Sequence, residues 1–261
     1  VDQEREKIPV GDRLYFNDYY TLVRGFGALA NLALVGDNSY FGLTSPLAGY
    51  RYRVGVDRSI GADNYYSLTA DYRKYFWMKP VSLAVRFTGI TRFEKEVNSV
   101  FPYYVGNMGF VRGYGSILST QIIDDLQLDF NQLLGSKMAV AGFEIRLPFT
   151  GPKQLALIGS NFLLTDLAFF VDAGVAFDEF KHFKEGELVY AIQRDDNGNV
   201  ILDNNGNALY AYQNLKPALA KSIGFALRVN LFGALILEPH FARQLDSRGK
   251  WTFGLNLVPG W

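Results

Sequence analysis

Trp251-Thr252-Phe253-Gly254-Leu255-Asn256-Leu257-Val258-Pro259-Gly260-Trp261 is the stretch whose reading decides the fold. Trp251, Phe253, Leu255 and Leu257 alternate with Thr252, Gly254 and Asn256, and an aromatic, Trp261, ends the run. A period of two puts the large apolar groups on one face of a strand and the small or polar groups on the other. The same alternation recurs upstream. Tyr50, Tyr52, Val54 and Val56 oppose Arg51, Arg53 and Asp57, and Tyr66, Leu68, Ala70 and Tyr72 oppose Ser67, Thr69, Asp71 and Arg73. Val81, Leu83, Val85 and Phe87 oppose Ser82, Ala84, Arg86 and Thr88, and Phe143, Ile145, Leu147 and Phe149 oppose Glu144 and Arg146. Leu167, Phe169, Val171, Val175 and Phe177 oppose Phe170, Asp172 and Gly174. Ile223, Phe225, Leu227, Val229 and Leu231 oppose Ser222, Gly224, Arg228 and Asn230, while Leu235, Leu237 and Phe241 oppose Glu238 and His240.

Two architectures fit such a pattern, a large soluble antiparallel barrel and one that crosses a membrane. In a soluble sheet the polar faces point outward and their charges are scattered and solvated. Here the segments run to about ten residues, the length of tilted strands crossing a hydrocarbon layer. Their apolar faces are almost free of polar atoms, as lipid requires. Tyr65, Tyr66, Tyr75, Phe76 and Trp77 at strand ends have the distribution of an interfacial girdle. The expectation is therefore an all-β chain, a transmembrane antiparallel β-barrel of about ten strands, twelve being the next even number. Tyr50, Tyr52, Phe87, Phe143, Phe169, Phe225, Leu237 and Phe253 would form its outer belt. The last strand would close on the N-terminal one, weakly toward Pro259, Gly260 and Trp261, because proline cannot donate to a ladder.

Composition agrees. The chain has 261 residues, 49% of them hydrophobic, yet no apolar run approaches the roughly 20 residues of a membrane-crossing helix. Mean hydropathy is close to zero, and a barrel escapes that test because only alternate residues meet lipid. A formal charge of +0 argues against a generic basic surface for nucleic acid. With Cys 0, disulfides, thiol catalysis and cysteine metal sites are excluded. The charged start, Val1-Asp2-Gln3-Glu4-Arg5-Glu6-Lys7, is no signal peptide, as expected of a mature form or a fragment. Residues 1–27 read as a first strand or as a linker from an upstream region, and residues 28–261 as the barrel.

Two long connections stand out, 95–137 and 179–214. The second holds Asp195-Asp196-Asn197-Gly198-Asn199 and Asp203-Asn204-Asn205-Gly206-Asn207. Asp and Asn at this density suggest calcium, but the downstream Glu of an EF-hand loop is missing. Asn-Gly pairs are strong tight-turn signals, so exposed turns are the better reading and no metal site is expected. Long loops mark the extracellular end of such barrels, with the turns near Trp77–Val81 and Phe232–Leu235 at the other.

The first connection contains Val111-Arg112-Gly113-Tyr114, preceded by Phe101-Pro102-Tyr103-Tyr104-Val105-Gly106-Asn107-Met108-Gly109-Phe110. Gly142-Phe143-Glu144-Ile145-Arg146-Leu147-Pro148-Phe149 follows, then Phe170-Val171-Asp172-Ala173-Gly174, then the aromatic end. In this order, from about Ala28 to Trp261, the chain resembles the bacterial surface-antigen barrel superfamily, which includes the BamA and TamA assembly factors and the two-partner secretion transporters. The resemblance implies that the Val-Arg-Gly-Tyr tip, Arg112, Gly113 and Tyr114, folds back to plug the lumen. Arg112 would then pair with Asp172 of the Phe170-x-Asp172-x-Gly174 strand, alongside Glu144 and Arg146. The phase of the strands supports this independently, since Asp172, Glu144 and Arg146 all lie on polar faces. An arginine can meet a carboxylate there through two parallel hydrogen bonds, which lysine cannot. Exchanging the two charges would then partly restore the pair. Asp71-Tyr72-Arg73-Lys74-Tyr75 followed by Leu83-Ala84-Val85-Arg86 most resembles a branch whose longer members carry a periplasmic propeller. Family barrels have about sixteen strands and periplasmic modules, for which this chain has no room. It would be the C-terminal part of a longer protein or a reduced barrel.

The function implied is outer-membrane protein assembly or translocation, alone or as a subunit of a complex, in the bacterial outer membrane. Expected partners are outer-membrane lipid or lipopolysaccharide and periplasmic or outer-membrane proteins, without nucleic acid or cofactor. A passive porin-like channel and a scaffold for a periplasmic domain are the alternatives. An enzyme is not expected: His182 lies in a loop and His240 beside Glu238 with no evident serine partner.

Overall fold

The computed structural model describes residues 27–61, 64–94, 102–107, 109–115, 128–195, 199–203, 206, 208–231, 235–245 and 249–259, and the backbone of 4–10 and 13–19. Nine strands form the continuous path of the main sheet among these residues, and two short strands, Tyr40–Phe41 and Ile158–Gly159, pair off it. The nine are β1 (Ala28–Asp37), β2 (Pro46–Ile60), β3 (Tyr65–Met78), β4 (Val81–Glu94), β5 (Lys137–Gly151), β6 (Leu164–Phe177), β7 (Ala220–Leu231), β8 (Leu235–Gln244) and β9 (Trp251–Pro259). Each pairs antiparallel with its neighbour in sequence, so the sheet is an up-and-down meander from β1 to β9.

Alternation translates directly into exposure. Along β6, Leu167, Phe169 and Val171 are exposed while Ala168, Phe170 and Asp172 are buried. β9 repeats this, with Trp251, Phe253, Leu255 and Leu257 exposed. Phe87, Phe143, Phe169, Phe225 and Phe253 of the expected belt are exposed, Tyr50 marginally so, and Tyr52 and Leu237 are half-buried. The buried apolar core lies on the opposite, concave face. Val105, Val111 and Tyr114 of the first long connection pack there against Leu133, Met138, Val140, Ala176 and Ala220.

Three expectations change. The sheet is not closed: among the described residues β1 and β9 are its two edges, while its path of nine strands stands close to the ten expected. The direction of the strands explains this, because successive reversals leave β1 and β9 running in the same sense and unable to form an antiparallel pair. The hairpin of Glu4–Val10 and Arg13–Tyr19 forms a separate two-stranded sheet and adds no strand to the path. Tyr75 belongs to the inward phase of β3 and is buried in the lumen rather than in a girdle, whereas Tyr66 and Phe76 face outward. Phe177, outward by phase, is buried because Phe180 and Phe183 cover it at ring-centroid distances of 4.9 and 5.1 Å. Gly260 and Trp261 lie outside the described residues.

Both long connections leave the same end of the sheet, following β4 and β6. The second contains a hairpin, Glu187–Ile192 against Tyr210–Leu215, extended by the bridges Arg194↔Val200 and Leu202↔Ala208. Asp195 serves its turn: its carboxylate accepts from the Asn199 amide at 2.8 Å and from the Asn199 side chain at 3.1 Å. Asp196, Asn197, Gly198, Asn204, Asn205 and Asn207 fall outside the described residues, as does the turn at 232–234. At the other end Lys79 and Pro80 alone join β3 to β4.

Placing a charge on the outer face should be costly. Phe225→Arg is expected to lower stability in lipid vesicles by about 2–4 kcal/mol, read from urea titration of the reconstituted chain. A loss below about 0.5 kcal/mol, the size of an ordinary surface substitution, would take Phe225 off the lipid face. The edges make a second prediction. Amides of β9 and β1 that point away from their single neighbour should exchange with deuterium faster than those of β5 and β6, which are flanked on both sides. Equal protection would mean that the edges are paired.

Candidate functional site

Residues 102–107 and 109–115 of the first long connection pack on the inward face of the sheet through Val105, Val111 and Tyr114. Val105 and Val111 reach β6 at Gly174, where an added Cβ would stand 2.7 Å from a methyl of each. This contact gives the glycine of the Phe-x-Asp-x-Gly strand a reason: any side chain there would lift the loop. Gly113 sits at φ +92, a conformation side chains rarely adopt, and a Cβ on it would come within 2.9 Å of Ala242. Its carbonyl accepts from Gln244 Nε2 at 2.6 Å. Tyr114 is fully buried, and its hydroxyl meets the backbone N and O of Lys221 at 3.1 and 3.2 Å.

Between these anchors Arg112 extends along β6. Its Nε donates to Asp172 Oδ2 at 2.7 Å and its Nη2 to Asp172 Oδ1 at 3.0 Å, a two-point pair. Nη2 also stands 2.7 Å from Glu144 Oε1, and Nη1 3.4 Å from Glu238 Oε1. The guanidinium lies over the Phe170 ring, 3.5 Å from its centroid, a stacking worth about 2 kcal/mol when desolvated. Two of the three carboxylates are shared in turn. Glu144 takes Arg146 Nε at 2.6 Å and Arg228 Nη2 at 3.0 Å, and Glu238 takes Arg228 Nε at 2.5 Å and Asn256 Nδ2 at 3.1 Å. Three guanidiniums, of Arg112, Arg146 and Arg228, thus meet three carboxylates, of Asp172, Glu144 and Glu238. Burial disfavours the Arg112 cation, yet Glu144, Asp172 and Glu238 outweigh it and hold its pKa above the ordinary arginine value.

The row of residues behind the cluster is layered. Phe170 rests on Gly224, where a Cβ would stand 2.5 Å from its ring, and meets His240 edge-on at 6.2 Å. His240 in turn lies on Gly254, whose Cβ would fall 2.4 Å from the imidazole. His240 is thus a packing group, and His182 lies beside Glu187 at 3.4 Å in the second long connection, far along the chain from the cluster.

Arg112, Gly113, Tyr114, Glu144, Arg146, Phe170, Asp172 and Gly174 are therefore neighbours in one cluster. Sequence reasoning did not include Arg228 and Glu238 in it. Their signal was present, since both occupy the inward phase of adjacent strands, but pairing across β7 and β8 needs the register. Trp251, Phe253, Leu255 and Leu257 stand apart on the outer face of β9. A second anchor was also missed. Arg86 on β4 donates to the Gly109 carbonyl, and Asp71 ties Arg86 at 3.3 Å to Arg73 at 2.7 Å.

Arg112→Ala should cost on the order of 3–5 kcal/mol, the usual loss when one partner of a shielded pair is removed, and should expose 102–115 to protease. Arg112→Lys should recover only part, lacking the fork. The exchange Arg112→Asp with Asp172→Arg should fail to restore stability, because Glu144 and Glu238 would then face a carboxylate. Rescue by that exchange, in the same urea titration, would mean that Asp172 alone holds the loop.

A protein-family model described as the Omp85 superfamily domain matches residues 32–235. No curated protein matches. Solved structures do, among them CdiB from Acinetobacter baumannii, 15% identical over 94% of this chain and 36% of that chain, with a TM-score of 0.47. The chain spans little more than a third of the length of that structure.

Proposed function

The chain belongs to the Omp85 superfamily, and from this we propose that it assembles or translocates proteins at the outer membrane, alone or as a subunit of a complex. It is a β-barrel-type protein of the bacterial outer membrane. The observation that carries the proposal is the Arg112 cluster, which fastens a lumen loop to β5, β6 and β8 through groups that can part and re-form. A loop held by ion pairs is a releasable obstruction: competing charges or movement of one strand weakens all its anchors together. Partners in this reading are unfolded or partly folded outer-membrane proteins on one side and membrane lipid around the belt.

A passive channel is the less favoured reading. Residues 103–107 and 109–115 occupy the lumen from the long-connection end, and the turn at 41–47 occupies it from the other. There Ser45 donates to Asp166 at 2.8 Å, Thr44 donates to the same oxygen, and Asn230 donates to the Leu43 carbonyl at 2.8 Å. Free diffusion of solutes through two such obstructions is not expected.

Reconstitution tests both readings. Vesicles holding the chain should speed the folding of a urea-unfolded outer-membrane barrel several-fold over empty vesicles, read by its heat-modifiable gel mobility, and should show little ion conductance. Arg112→Ala should raise conductance and reduce the acceleration. Steady conductance by the parent chain without any acceleration would favour the channel.

A further inference from the structure

On the lumen face one level of the sheet carries three arginines side by side. Arg51 on β2 is directly opposite Arg73 on β3, and Arg73 is directly opposite Arg86 on β4. Like charges in that relation destabilise a sheet. The row continues to Gly142, which leaves the space beside Arg86 without a side chain, and to Asp172, already engaged by Arg112. Two carboxylates serve the three arginines. Asp71 receives Arg73 and Arg86 at 2.7 and 3.3 Å, and Asp37 stands 3.6 Å from Arg51. The Arg51 and Arg73 side chains remain 46% and 38% exposed. On the facing wall, three arginines meet three carboxylates, so the surplus positive charge of the lumen belongs to the β2–β4 side.

Between the walls lies a cavity of about 320 Å³, bounded by Thr44 and Ser45 toward one end and by Gly109 and Phe110 toward the other. Small-molecule sites usually measure about 300–1,000 Å³, so the space suits a headgroup rather than a polymer. Arg228 also lines it, and its Nη1 is buried with no hydrogen-bond partner among the described residues. Planar guanidinium forks bind oxyanions through paired donors. Arginines on both walls offer more donors than the two oxygens of a carboxylate accept, whereas a phosphoryl group presents three. We propose that this cavity binds a phosphate ester, free or on a lipid headgroup, with Arg51, Arg73 and Arg86 holding the anion.

Calorimetric titration of the chain in zwitterionic micelles with sodium pyrophosphate tests the site. Saturable binding is expected, about tenfold weaker in Arg51→Gln and in Arg73→Gln, the loss of one charge-assisted hydrogen bond. Arg58→Gln, on the outer phase of β2 over Tyr66, should bind like the parent. Heat-modifiable mobility checks that each variant is folded, and if Arg73→Gln is not, the half-exposed Arg51 decides. Micelles doped with phosphorylated lipid A should weaken the pyrophosphate titration if the natural source is lipid and leave it unchanged if the ester is free, and either outcome supports the site. Absence of saturable binding, equal binding of acetate, or folded Arg51→Gln binding like the parent would overturn it.

Discussion

A guanidinium cannot sit bare in a shielded lumen, and the position of Arg112 forces much of what surrounds it. Taking such an ion out of water costs several kcal/mol unless its hydrogens are met by well-placed acceptors. Asp172, Glu144 and Glu238 meet them from three different strands, and each of the latter two then needs Arg146 or Arg228 to balance its own charge. Removing Arg112 would leave Asp172 without its cation, and removing Glu144 would strip Arg146 of its carboxylate and Arg228 of one of its two. The register of β5 to β8 and the height of the loop in the lumen are thereby tied to one another.

The loop is also more than an accessory to the sheet. With lipid facing the outer surface, the apolar groups that pack against protein are those of the concave face, and Val105, Val111 and Tyr114 supply its centre. Glycines determine how closely this packing can approach. Gly174 admits the loop valines, Gly224 admits Phe170 and Gly254 admits His240, so three strands give up side chains to seat bulky groups from elsewhere. Hydrophobic packing and ion pairing therefore act on the same turn of chain, one setting its depth and the other its orientation.

Strand identity and facing were legible because a period-two signal is local: each of β2 to β9 shows it within its own residues. The Arg112–Asp172 contact was suggested by a motif order and by phase, which restricts charged groups to one side of the sheet. What could not be read is whatever depends on register. The contribution of Arg228 and Glu238 follows from where β7 and β8 lie against β5, and the arginine row of β2 to β4 appears only when Arg51, Arg73 and Arg86 are set at one level. Phe177 looked like a lipid-facing residue because its cover, Phe180 and Phe183, comes from a turn and the one-turn helix His182–Glu185, too short to carry a periodic pattern. Closure failed as an expectation because alternation reports the faces of a strand and is silent about its edges.

Those edges obey an arithmetic of parity. An antiparallel ring needs an even total, and the described meander is odd, so only an odd number of additional strands lets β1 and β9 join a continuous antiparallel wall. Two copies related by an axis along the lumen do not satisfy the rule, since β9 of one would meet β1 of the other in parallel. Symmetric pairing in the membrane plane is therefore disfavoured as a way to seal the gap. Whatever completes the wall must break the symmetry of the chain with itself.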